Sequence, residues 1–170
     1  MKKIVLTLFI TLGSLMAIEI GQVPPKVQLS GESGGKVDGT PWNSSMLKDK
    51  VYVMFYVDPD ERKANEALTE ALKKRHFNRE KYASIAMINL AASWLPNAIL
   101  ESKLKEKQKT FPDTIYVKDK KKVLVKKWQL ADDNSDILIF DKKGRLLYQK
   151  FGKLSQKEIE QILSLIEKHL

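Results

Sequence analysis

The 170-residue chain contains no cysteine. That absence excludes thiol–disulfide exchange, thiol peroxidase chemistry, thiolate zinc sites and iron–sulfur clusters, because each needs a sulfur nucleophile or ligand. Disulfide staples are excluded too, so stability must come from a packed core. Histidine is scarce: His76 and His169 stand without a partner motif, and Ser135 sits in no G-x-S-x-G turn. No glycine-rich phosphate loop is present. The apolar run near the start, Ile4 to Ala17, has 14 residues, short of the roughly 20 that span a bilayer.

Lys2 and Lys3 precede that run, so residues 1–17 read as a signal peptide, cleaved after Ala17, and the expected address is the periplasm. Leu15 is large for the minus-three position, and an uncleaved inner-membrane anchor is the alternative. A lipoprotein is excluded because no cysteine follows. Residues 18–170 then form one domain, and a chain of that size buries roughly 70 % of its unfolded surface.

Residues 18–50 hold Gly, Pro and Ser around short apolar stretches, as in an edge strand or hairpin with a turn near Trp42–Ser45. Val51 to Val57 is β-branched and aromatic, as a buried strand should be. Ala64, Ala67, Leu68, Ala71 and Leu72 form a helical stripe. Tyr82 to Ala92 reads as a second buried strand, and a helix is expected from Pro96 to just before Phe111. Two hairpins are expected next, one with its tip at Lys118–Lys122 and one turning at Lys142-Lys143-Gly144. Ser155 and Glu158 make a capping box for a last helix with Ile159, Ile162, Leu163, Ile166 and Leu170 on its apolar face. This order predicts an α/β fold of three layers, α/β/α, with a central mixed sheet closed by a β-hairpin plus helix.

The pieces Gly21-Gln22-Val23-Pro24-Pro25, Trp42-Asn43-Ser44, Leu47, Lys50-Val51, Trp128-Gln129-Leu130 and Asp141-Lys142-Lys143-Gly144-Arg145 occur in this order along the chain. With them the sequence resembles the thioredoxin-like and thiol-peroxidase superfamily, and more narrowly the YtfJ family of small periplasmic bacterial proteins. The resemblance implies a thioredoxin-like fold and carries over no catalytic residue. The redox cysteines of that fold would fall near Asp60 and Lys63, and the cis-proline loop would be Asn134-Ser135-Asp136. Both halves of a dithiol site are replaced.

At the vestigial redox loop, Asp58 fits an N-cap, Pro59 the first helical position, and Asp60 and Glu61 the next two. Fixed carboxylates would then stand where a helix N-terminus normally stabilises a thiolate. A general-acid role for Asp58, Asp60 or Glu61 meets an objection, since helix N-termini lower a carboxylate's pKa. A hard-cation site would pair these acids with Asp132, Asp133 or Asp136. Trp128 is expected in the core or at the mouth of the site. The sequence assigns no cofactor and no metal.

After residue 17, 28 basic side chains face 21 acidic ones. Ten lysines against three acids lie between residues 103 and 127, so the whole surplus sits there. They are Lys103, Lys105, Lys107, Lys109, Lys118, Lys120, Lys121, Lys122, Lys126 and Lys127. With no arginine and two aromatics, the segment suits nucleic acid poorly and anionic membrane headgroups or other polyanions better. A solvated lysine surface guarding sheet edges is the plainer reading. The expected function is a redox-inactive binding module for an envelope protein or peptide. The alternatives are a peripheral membrane or polyanion-associated protein and a carboxylate- or metal-dependent enzyme.

Overall fold

The structure, a computed structural model, describes residues 17–170. The expected leader lies outside the described residues except for Ala17. Among the described residues no helix is long and apolar enough to cross a membrane.

Among the described residues eight strands and four α-helices form in the order β1 (Gln28–Leu29), β2 (Gly34–Lys36), β3 (Trp42–Asn43), β4 (Val51–Val57), α1 (Glu66–Arg75), β5 (Tyr82–Asn89), α2 (Asn97–Thr110), β6 (Thr114–Asp119), α3 (Val123–Trp128), β7 (Ser135–Phe140), β8 (Leu146–Phe151) and α4 (Gln156–His169). The central sheet runs β2-β6-β5-β4-β7-β8. Strands β4, β5 and β6 are parallel to one another, while β7 pairs antiparallel with β4, and β8 with β7. The sheet is mixed, as expected.

Period-two alternation divides the core. On one face Val51, Val53, Ile137 and Ile139 pack against Leu68 of α1 and Ile159, Ile162 and Ile166 of α4. Beside them Leu100 and Leu104 of α2 cover Ile88 and Tyr116. On the opposite face Met54, Met87, Leu138 and Phe140 pack against Leu124 and Trp128 of α3 and Leu29 and Trp42 of β1 and β3. Each fully buried Leu, Ile or Met contributes roughly 1.5–3 kcal/mol of transfer free energy. Strand β7 is covered on both faces, which explains its unbroken apolar run.

Two sequence expectations are corrected. The segment after Lys122 is helix α3 rather than the second arm of a hairpin. Asp119 decides this: Oδ1 accepts from the Lys121 and Val123 N–H groups and Oδ2 from Leu124 N–H, satisfying donors that a helix start leaves open. Nor does the helix after β4 begin at Asp58. Pro59–Glu61 forms a separate 3-10 turn, and α1 starts only at Glu66. Asn65, which precedes it, spends its side chain elsewhere: it donates to Ser135 Oγ (3.0 Å) and Gly152 O (3.1 Å) and accepts from Leu154 N–H (2.9 Å).

The other elements match their signals. Ser155 accepts from Glu158 N–H while Glu158 accepts from Ser155 N–H, closing the capping box. In the β7–β8 turn Asp141 Oδ1 accepts from the Lys143 and Arg145 N–H groups. Gly144 there has φ +77°, and an added Cβ would lie 2.5 Å from Leu47 O. Trp128 is a core residue, with its indole N–H on Pro25 O and its ring edge against Trp42.

Candidate functional site

The carboxyl ends of parallel strands are where open α/β sheets bind ligands. Here each parallel strand ends in, or is followed directly by, a polar residue that continues the apolar alternation of the α3 face. Asp58 follows Met54 and Tyr56, Asn89 follows Met87, and Asp119 follows Val117. Asp136, on antiparallel β7, precedes Leu138 at the same end. Asp58, Asn89, Asp119 and Asp136 are all buried, the last three with no exposed surface.

Their hydrogen bonds are uneven. Asp119 is fully occupied, because besides capping α3 it accepts from Tyr56 Oη at 3.2 Å. Asp58 Oδ2 accepts from Asn134 N–H (2.9 Å) and Asp136 Oδ2 from Ala131 N–H (2.8 Å). The second oxygens of Asp58 and Asp136 have no hydrogen-bond partner, and neither does Asn89 Oδ1. Buried polar atoms left in this state are uncommon and costly.

The loop before β7 completes the group. Asp58, Asp132 and Asp133 each offer a carboxylate oxygen, and these three atoms lie within 4.8 Å of one another. Asn89 Nδ2 donates to Asp132 Oδ1 (3.2 Å), and Lys122 Nζ reaches Asp132 Oδ2 (2.6 Å). Burial pushes the Asp136 carboxyl up to about 7, with the Asp58 charge adding to the rise. Burial also raises Asp58, against the nearby Asn89 amide and the Asn134 N–H hydrogen bond, which lower it. Asp132 is held low by Lys122.

The residues singled out from sequence separate here. Of the vestigial loop only Asp58 joins the group; Pro59 is half-buried, and Asp60, Glu61 and Lys63 are exposed. Asp58 makes no cap hydrogen bond to the following turn. Of the facing loop, Asn134 closes onto Asp58, while Ser135 and Asp136 are the first residues of β7 rather than a loop. Ser135 is 2 % exposed and its hydroxyl accepts from Asn65. Asn89, Asp119 and Tyr56 were not identified from sequence, although a polar residue closing a buried apolar run was the available signal.

The lysines do not form one face. Lys103, Lys105, Lys107 and Lys109 lie on α2, across the sheet from Lys126 and Lys127 on α3. Lys118 and Lys120 pair with Glu101 (3.4 and 2.7 Å), Lys121 with Glu32 (2.9 Å) and Lys122 with Asp132.

A thioredoxin-like fold with no thiol and with buried carboxylates at the carboxyl end of its central sheet defines the class. Solved structures agree on the fold: the exposed lipoprotein thioredoxin Etrx1 of Streptococcus pneumoniae aligns with TM-score 0.61 at 15 % identity, over 85 % of this chain and 99 % of that one. A thiol:disulfide interchange protein DsbE from Chlorobium tepidum aligns with TM-score 0.62 at 13 % identity, over 90 % and 99 %. The family is narrower. Residues 18–169 match the model of a bacterial protein family of unknown function, YtfJ_HI0045, and the chain belongs to it. It is 28 % identical to the uncharacterised protein YtfJ of Escherichia coli over 133 residues, 76 % of this chain and 72 % of the relative. An uncharacterised protein of Haemophilus influenzae is 29 % identical over 157 residues, 88 % of this chain and 85 % of the relative.

Proposed function

We propose that the protein is exported to the periplasm and acts as a redox-inactive thioredoxin-like binding module. It would recognise a segment of an envelope protein at the carboxyl end of the central sheet. One observation carries this reading. Trp94 is 85 % exposed, Ile99 46 % and Phe151 41 %, and all three lie at the sheet end that holds Asp58. Trp94 and Ile99 follow β5 on the way into α2, and Phe151 pairs in register with Asp136. Exposed aromatic and aliphatic side chains at the sheet end that carries the buried polar groups are what a protein-binding surface offers.

Catalysis is the weaker reading for a geometric reason. Asp136 has a pKa suited to general acid–base work, yet its carboxyl is wholly enclosed and cannot touch a substrate. The lysine segment is the weaker membrane surface because its charges are divided between two faces and four are paired within the molecule.

The test is photo-crosslinking in cells, with the probe at Asp60 or Trp94 and a control probe at Lys105 on α2. A discrete protein adduct from 60 and 94, and none from 105, is the expected result. Lipid or polymer adducts at 105 with silence at 60 and 94 would transfer the function to the basic helix.

A further inference from the structure

The structure assigns a calcium-type divalent cation site to Asp58, Asp132, Asp133 and Asn89. Two independent observations meet there. The first is the three carboxylate oxygens within 4.8 Å of one another, a spread that two Ca²⁺–O bonds of roughly 2.3–2.6 Å can bridge. The second is Asn89, an amide with no exposed surface that is aimed into the group. Its Nδ2 donates to Asp132 Oδ1, whereas its Oδ1 has no partner. Half a turn about the last side-chain bond exchanges the two and points an oxygen at the carboxylates. Asp58 Oδ1 is likewise buried and unpartnered.

The donor chemistry selects the ion. Every donor is a carboxylate or amide oxygen, and the chain supplies neither thiolate nor a nearby imidazole, which favours a hard cation over zinc or copper. Asp132 and Asp133 are exposed, so water has access to fill further coordination positions. The donors come from the end of β4, the end of β5 and the loop entering β7, so one ion would tie three chain segments together. Lys122 Nζ already holds Asp132 at 2.6 Å. Its ammonium is the internal competitor of the metal, as a tethered cation on one of the same carboxylates.

This inference goes beyond partner recognition and does not require it, because an ion titration involves no partner. The experiment is isothermal titration of the chelator-stripped protein with CaCl₂ and separately MgCl₂, alongside melting with and without Ca²⁺. Expected are one saturable Ca²⁺ site, weaker Mg²⁺ binding and a Ca²⁺-dependent rise in melting temperature. Lys122→Gln should bind Ca²⁺ several-fold more tightly. Asp132→Asn should bind roughly tenfold or more weakly, and so should Asp133→Asn, an exposed change that leaves the fold intact. No saturable heat in either the wild type or Lys122→Gln would overturn the site. Equal Ca²⁺ binding by the wild type, Asp132→Asn and Asp133→Asn would overturn it as well, marking a non-specific surface cation.

Discussion

At the scale of single residues, two buried side chains show how differently a polar group can be used. Asn65 is 5 % exposed and ties α1 to β7, to the end of β8 and to the approach to α4. Asn65→Ala would leave several buried donors and acceptors unmet and is expected to cost about 2–4 kcal/mol, measured by urea unfolding. Asp136 works in the opposite direction. Its folded pKa of about 7 stands above the 3.8 of an ordinary aspartate. Between those values the folded state keeps a proton that the unfolded chain has released, so stability falls as pH rises from about 4 to about 7 and levels off above. The span sets a ceiling of about 4 kcal/mol. Asp136→Asn, which can still accept from Ala131 N–H, should remove that slope and gain most over the wild type at pH 8. Unfolding series at pH 4, 6 and 8 with chelator present check this, and parallel curves for the two proteins would refute the burial account.

At the scale of elements, local signals and tertiary demands compete. The Ser155–Glu158 box lies wholly within four residues of sequence, and the helix that follows is the one its pattern predicts. Ser155→Ala should lower stability by about 1 kcal/mol. Helix α3 is the contrary case. Val123, Leu124 and Val125 read as strand by composition, and β-branched residues do favour strands. Asp119 overrides that preference from the end of β6 by taking three N–H groups, while Leu124 and Trp128 gain a core to fill. Asp119→Ala is expected to destabilise by about 2 kcal/mol or more and to speed hydrogen exchange at the Val123 and Leu124 amides ahead of the rest of the molecule. Unchanged exchange at those two amides would mean packing alone holds the helix.

At the scale of the whole molecule, the sheet gathers at one end what the chain spreads over almost a hundred residues, from Asp58 to Phe151. A double change of Trp94→Ser and Phe151→Ser removes two apolar side chains that are 85 % and 41 % exposed and lie outside the core clusters. It should leave the melting temperature within a degree or two while abolishing the adduct formed from position 60. Persistence of that adduct would place the partner contact elsewhere. Sequence alone was enough for the absence of thiol chemistry, the YtfJ resemblance, the mixed α/β order and most of the strands and helices. The strands and helices rest on periodicities of 2 and 3.6 and on short-range caps, readable within about fifteen residues, whereas the missing thiol is a matter of whole-chain composition and the resemblance rests on the pieces between Gly21 and Arg145. The sequence also brought Asp58, Asp132 and Asp133 into consideration as candidates. It took the packed chain to show which acids share a site, that Asp60 and Glu61 face solvent, that the Asn89 amide reaches Asp132, and that the lysines divide between two faces. The reason is physical: charge burial, amide orientation and ion pairing depend on which strands lie side by side, and strand order is a long-range property that local sequence does not encode.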